Sequence, residues 1–263
     1  GYYLYYDTVS GGEAHKITLA NLPYTIMGLD RGATYFIHIR AYNICSESAP
    51  SNEVSATTTG PPSVPENITI ILTSAGLKLS WDAANGNGSA IIQYNIYRAT
   101  ESGNEGTEPY ATVDGSTLEY LDTNVNKGQI YYYQLSAVNA KGEGERSEEI
   151  AKRFVLVPSS PKNLVGIPGN RRAILIWDKP DDDGGYCEYG IMYREADGNY
   201  QLAADGIKNT VASLSNLTNG VKYYFKVYAY NEAGKSGYSN EVVVIPTSAP
   251  EEVLPKYLRK VVR

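Results

Sequence analysis

Two histidines, His15 and His38, and two cysteines, Cys45 and Cys187, are all this 263-residue chain offers for the commonest acid–base, nucleophilic and soft-metal chemistry. His38 alternates with Ile37 and Ile39, so its ring is expected on the outward side of a strand, and His15 lies near a loop. Neither has a serine or cysteine at a spacing that makes a base–nucleophile pair. The cysteines are far apart with no CxxC, so each reads as a lone thiol packed as a small hydrophobe. Asp181, Asp182 and Asp183 could offer oxygens to calcium, but they lack the alternating spacing of a dedicated loop. Gly234-Lys235-Ser236 looks like the end of a phosphate loop; it fails because Ala229 stands where that loop needs glycine. The expectation is therefore no catalytic residue, no metal and no cofactor: not an enzyme.

What remains is recognition and modification. Asn67-Ile68-Thr69, Asn87-Gly88-Ser89 and Asn216-Leu217-Thr218 are N-glycosylation acceptor triplets. Tyrosine dominates the aromatics, 24 against 3 Phe and 2 Trp. It suits a pleated, half-buried surface and keeps a hydroxyl for water. Tyr3, Tyr5, Phe36, Tyr132 and Tyr224 read as outward-facing candidates for contact with a protein or a sugar. A net charge of −6 argues against nucleic acid as a partner. The sequence has no apolar run long enough for a membrane helix and no signal-peptide pattern at its start.

The elements that must position these residues repeat. Tyr35, Ile37, Ile39, Ala41, Asn43 match Tyr131, Tyr133, Leu135, Ala137, Asn139 and Tyr223, Phe225, Val227, Ala229, Asn231. Each set alternates with period two, the mark of a strand with one buried face. Eight residues on come Ser51-Asn52-Glu53-Val54, Ser147-Glu148-Glu149-Ile150 and Ser239-Asn240-Glu241-Val242. Upstream, Leu77, Leu79, Trp81 match Ala173, Leu175, Trp177, each followed by a polar turn and then Tyr94–Arg98 or Tyr189–Tyr193. Short strands between regular turns indicate an all-β sandwich.

These repeats resemble fibronectin type III modules, through the strand-B tryptophan, the strand-C tyrosine, the alternating strand F and the Ser-x-Glu-Val/Ile start of strand G. The resemblance implies tandem immunoglobulin-like sandwiches of two antiparallel sheets. It also implies that Tyr131 and Tyr223 are corner tyrosines whose hydroxyls bond back to the chain upstream. Leu214 and Leu217 precede Tyr223 accordingly, and Leu121 is the looser counterpart before Tyr131. The wording of loops 137–144 and 51–57 resembles bacterial and archaeal secreted modules.

Aligning Tyr2 with Tyr94 divides the chain into a partial module at 1–60 (strands C to G), modules at 61–157 and 158–247, and a tail at 248–263. Lacking strands A and B, residues 1–60 are expected to leave an apolar face and a strand edge open. The tail could be strand A of a further module or a strand donated to the open module of another copy. It also reads as a helix with Leu254, Tyr257, Leu258 and Val261 on one face. Proline-rich junctions at 61–65, 158–161 and 246–250 suggest semi-rigid spacing of modules. The function expected is a non-enzymatic extracellular or cell-surface scaffold or adhesion segment with a protein partner, one candidate being a second copy joined head to tail as a filament through 1–60 and 250–263. The alternatives are an accessory, carbohydrate-binding region of a secreted polysaccharide-degrading enzyme and a receptor ectodomain fragment.

Overall fold

A computed structural model describes residues 1–248. The candidates Leu254, Tyr257, Leu258 and Val261, and the donor-strand or helical reading of the tail, lie outside the described residues. Every regular element among the described residues is a strand, and no helix among them is long and apolar enough to cross a membrane.

Residues 1–60 form one antiparallel sheet from β1 (Tyr2–Asp7), β2 (His15–Leu19), β3 (Thr34–Ala41) and β4 (Val54–Thr57), in the order β2-β1-β3-β4. The register sets Leu4 opposite Ile39 and Ile17, and Tyr6 opposite Ile37, on one face. The open apolar face expected there is seen in part: Tyr2 is 49% and Ile39 37% exposed, whereas Leu4 and Tyr35 are buried.

The next eight strands are β5 (Glu66–Leu72), β6 (Leu77–Asp82), β7 (Ile91–Ala99), β8 (Ala111–Asp114), β9 (Glu119–Asp122), β10 (Ile130–Asn139), β11 (Gly142–Glu143) and β12 (Ile150–Arg153). They make a sheet β5-β6-β9 and a sheet β11-β10-β7-β8, with β12 also on β10. The last eight repeat this plan. They are β13 (Lys162–Gly169), β14 (Arg172–Asp178), β15 (Glu188–Glu195), β16 (Gln201–Ile207), β17 (Val211–Leu214), β18 (Tyr223–Asn231), β19 (Gly234–Tyr238) and β20 (Val242–Val244). Their sheets are β13-β14-β17 and β16-β15-β18-β19, with β20 also on β18.

Alternation explains the cores. Ala173, Leu175 and Trp177 of β14 face Tyr189 and Ile191 of β15 and Tyr223, Phe225, Val227 and Ala229 of β18, all buried. Each large apolar side chain so buried contributes roughly 1.5–3 kcal/mol. Trp177 meets Tyr189 edge to face at 5.4 Å, and Trp81 meets Tyr94 in the same way at 5.4 Å. Corner bonds occur at Tyr223, whose hydroxyl accepts from Thr218 N at 3.1 Å, and at Tyr35, which accepts from Asp30 N at 3.0 Å. Tyr131 is buried with the Arg98 guanidinium 5.1 Å over its ring.

The Ser-x-Glu-Val/Ile element has a specific task in each repeat. Ser51, Ser147 and Ser239 donate their backbone N–H to Ile39, Leu135 and Val227 O and accept those residues' N–H on Oγ, each at 2.8–3.0 Å. The serine thus completes backbone pairing where the strand itself cannot. Two residues on, Glu53 accepts from Ser10 Oγ and Gly11 N, and Glu149 from Ser102 Oγ and Gly103 N, both across their own sheet.

Contact density divides the chain into two compact units: Gly1–Ile71 with Lys78–Asp122 and Tyr131–Lys152, and the remainder. Each unit holds one copy of a junction. In the first, Gly60 N donates to Asn87 O, Ser63 N to Asn85 O, and the buried Asn139 amide to Gly60 O and Gly86 O, at 2.8–3.0 Å. In the second, Leu156 N donates to Gly184 O, Ser159 N to Asp182 O, and the Asn231 amide to Leu156 O and Tyr186 O, at 2.7–2.9 Å. Gly184 has φ +70°, and an added Cβ would strike Leu156 O, so this turn requires glycine.

Candidate interaction surface

Period-two alternation places Tyr3, Tyr5, Lys16, Phe36, His38 and Arg40 on the face opposite Leu4 and Ile39. Tyr3 stacks on Tyr42 with ring centroids 4.0 Å apart, and Lys16 Nζ sits 3.7 Å above the Tyr3 ring. Tyr5 stacks on His38 at 5.3 Å and donates its hydroxyl to Glu47 Oε2 at 2.7 Å. Lys16 pairs with Glu47 and Arg40 with Glu13, each at 2.6 Å. The hydrogen bond from Lys16, joined by that from Tyr5, holds the Glu47 carboxyl below its ordinary range; Arg40 does the same for Glu13.

Tyr5 is 7% exposed, so it supports the surface from beneath rather than offering its ring to a ligand. His38 is on the outward face as its alternation requires, yet it is buried between Tyr5 and Glu13, whose Oε1 is 3.1 Å from Nε2. His15 lies in β2 and stacks on Tyr6 at 4.6 Å. Cys45 is exposed rather than packed, and Cys187 is half-buried, which pushes its thiol up. Tyr3 and Phe36 are half-buried.

The same dressing recurs on the other outward faces. Tyr224 is half-buried with the Arg194 guanidinium 3.9 Å over its ring, and Glu241 gathers Arg194, Lys226 and Tyr200. Arg146 lies 3.4 Å over Tyr97. Glu143 accepts from Tyr97 at 2.5 Å, from Asn95 at 3.0 Å and from Ser136. Burial raises the Glu143 carboxyl, but these donors outweigh it and hold it below its ordinary value. Tyr132 is half-buried on this face.

The aspartate run is a turn with engaged carboxylates. Asp181 pairs with Lys162, Asp182 with Lys127 at 2.6 Å, and Asp183 accepts from Gly185 N at 2.8 Å. Among the described residues no group of three or more His, Cys, Asp or Glu side chains could hold a metal ion. Asn67 and Asn216 are exposed and Asn87 is half-buried.

One polar cluster escaped sequence reasoning. Asp122 is fully buried and takes Arg98 Nη1 and the Tyr133 hydroxyl, each at 2.7 Å, on Oδ2. Tyr110 adds a 3.4 Å contact to Oδ1, and its ring lies 3.6 Å under the Arg98 guanidinium. Burial, then the bond to Asp122, pushes the Tyr133 hydroxyl well above its ordinary range. The signal was present: Arg98 follows Tyr94 and Ile96 at an inward position, where a charge needs a partner.

The Fibronectin type III domain family matches residues 63–153 and 159–245. Fibronectin type-III domain-containing protein 3a of Gallus gallus is 27% identical over 88% of this chain and 20% of its own length. The netrin receptor DCC of Mus musculus is 27% identical over 89% of this chain and 17% of its own. Receptor-type tyrosine-protein phosphatase F of Bos taurus is 28% identical over 89% of this chain and 12% of its own. The chain thus spans a fifth or less of these relatives. The crystal structure of chicken CNTN1 FN1-FN3 domains covers 84% of this chain and 80% of that one, at 19% identity and a TM-score of 0.40. The relatives found are animal proteins, so the resemblance of the loops to microbial modules gains no support. With its family match covering well over half of its residues, and the repeated sandwich under that match, the chain belongs to the fibronectin type III domain family.

Proposed function

We propose that the chain is a non-enzymatic, protein-binding stretch of an extracellular or cell-surface protein of the adhesion or receptor kind, built of modules at 61–157 and 158–247 after a further module's residues at 1–60. The observation that carries this reading is the outward face of β1–β3, where Tyr3, Tyr42 and Lys16 are held in place by Glu47 and Tyr5. Aromatic rings fixed under cations lose little freedom on binding, and tyrosine and arginine are enriched where proteins meet. The names of two relatives, a netrin receptor and a receptor-type phosphatase, support a receptor or adhesion setting.

The test is a binding screen of the chain against recombinant cell-surface ectodomains, repeated with Tyr3→Ala and Lys16→Glu. A partner lost by both variants, with circular dichroism unchanged, supports the reading. Retention on insoluble polysaccharide with no protein partner moves the chain to the accessory class. The narrower form, self-assembly through 1–60 and 250–263, requires fibres in electron micrographs that vanish when 250–263 are deleted.

A further inference from the structure

The three glycosylation triplets are equivalent in sequence and differ in structure. Asn87 is half-buried in the first junction: its Nδ2 donates to Pro61 O at 2.8 Å, its O accepts from Gly60 N at 3.0 Å, and its N donates to Asn85 Oδ1 at 2.8 Å. A sugar on this half-buried nitrogen would have to fit against the linker residue Pro61 that the nitrogen bonds. Asn67 is exposed, with Nδ2 donating to Asp82 Oδ2 at 2.7 Å.

Asn216 shares a positive φ with the other two, at +63° against +51° for Asn67 and +47° for Asn87, and differs in its partners. Its turn is fixed on the C-terminal side by Leu217 N to Arg171 O at 3.0 Å and Thr218 N to the Tyr223 hydroxyl at 3.1 Å. Its own side chain is exposed and makes no hydrogen bond among the described residues. Thr218, the third residue of the triplet, is also exposed. Beside Asn216 opens a recess of about 490 Å³, lined by Tyr193, Leu202, Leu214, Tyr223 and Phe225. Leu202 is 53% exposed at this recess, so the first sugars can lie over it without displacing any strand.

We propose that Asn216 is an N-glycan acceptor and that Asn87 is not. The co-reactant is a lipid-pyrophosphate-linked oligosaccharide. A bond forms from Nδ2 to its anomeric carbon, the bond from that carbon to the phosphate oxygen breaks, and the lipid pyrophosphate leaves with the electron pair. Nδ2 releases one proton, and nothing is oxidised or reduced. Use of the site in the natural protein rests on the extracellular reading above.

The experiment secretes the full chain from a glycosylating eukaryotic host behind a signal supplied by that host, so acceptor competence is read independently of natural location. Intact mass is compared before and after amidase removal of N-glycans, which leaves aspartate at the modified position. The expected result is a glycan on Asn216 in the wild type, lost in Asn216→Gln and in Thr218→Ala. Asn87→Gln should leave the glycan mass unchanged. An unmodified Asn216 on folded, secreted chain, or a glycan at Asn87, overturns the proposal. Thr218→Ala keeps the backbone N–H that bonds Tyr223, so a loss of glycan there with unchanged circular dichroism cannot be blamed on misfolding. Chain from its natural source that lacks the glycan, when host-made chain carries it, would sink the extracellular reading and leave the acceptor assignment standing.

Discussion

The sandwiches of β5–β12 and β13–β20 share a plan and fill one interior position in opposite ways. In the first, the partly buried Arg98 of β7 pairs with the fully buried Asp122 of β9, which also accepts from the Tyr133 hydroxyl of β10. In the second, the corresponding places on β15, β17 and β18 hold Tyr193, Leu214 and Phe225; Arg98 is opposite Tyr133, just as Tyr193 is opposite Phe225. The apolar set leaves a recess, whereas in the polar set Tyr110 lies over the arginine. The same fold therefore tolerates a charged trio or an apolar one, provided each is complete. A buried ion pair is weak evidence for stability, but half of one is strongly unfavourable.

The largest effect should come from breaking the trio. Asp122→Ala strands the Arg98 charge and the Tyr133 hydroxyl in the interior and should cost about 3–5 kcal/mol. Each of the two complete sandwiches has a single tryptophan, so Trp81 fluorescence during denaturant unfolding in a Trp177→Phe background reads this sandwich alone. A loss below about 1 kcal/mol would mean water reaches the site, and the contrast with the second sandwich would fail.

Next in size are the junction asparagines, where the two copies are alike. Asn139→Ala and Asn231→Ala each remove two hydrogen bonds to linker and turn carbonyls. Unsatisfied buried carbonyls cost about 1–3 kcal/mol, with the larger loss expected at the more deeply buried Asn139. Hydrogen exchange at the Gly60 and Leu156 amides should accelerate in the matching variant only.

A smaller net change is expected from exchanging the whole trio. Arg98→Tyr, Asp122→Leu and Tyr133→Phe together install the apolar set. Replacing a complete buried ion pair with apolar residues is often neutral or stabilising, by roughly 1–4 kcal/mol. The triple variant should at least recover the loss of Asp122→Ala. If it is as unstable as the single variant, packing around the trio, rather than charge, decides the position.

How far these features were legible follows from what kind of pattern carries them. The sheets follow from alternation, as at Tyr131, Tyr133, Leu135 and Ala137, because one buried face imposes period two. The Ser-x-Glu-Val/Ile element was legible as a repeat, but its role as a hydrogen-bond patch beside the strand was not, since that depends on pairing across the sheet. The inward position of Arg98 shows that a partner is needed, but Asp122 lies in the other sheet, and no local spacing identifies it. Tyr5 and His38 were correctly placed on the outward face, yet alternation says nothing of the long Lys16, Glu13 and Glu47 side chains that cover them. Asn67, Asn87 and Asn216 are one motif in sequence; only the hydrogen-bond partners of each amide separate them.

The smallest effect belongs to a charge pair at the surface, and it sharpens the contrast with the buried one. Lys127 meets Asp182 at 2.6 Å in the second junction, where the first junction has uncharged Asn85 and Asn87. The hydrogen bond from Lys127, then that from Gly184 N, holds the Asp182 carboxyl below its ordinary value. A depressed carboxylate contributes stability that is complete above its unfolded pKa, about 3.9, and is lost as pH falls through the lower folded value. Both partners are solvent-exposed, so salt screens the attraction within about 10 Å at 0.1 M. Asp182→Asn should therefore speed exchange at the Leu156 amide slightly near neutral pH and low salt. The difference from wild type should shrink in 1 M salt and at acid pH, while the Gly60 amide stays unchanged throughout. A Gly60 amide that responds equally would show that the charge acts on the whole chain rather than on its own junction.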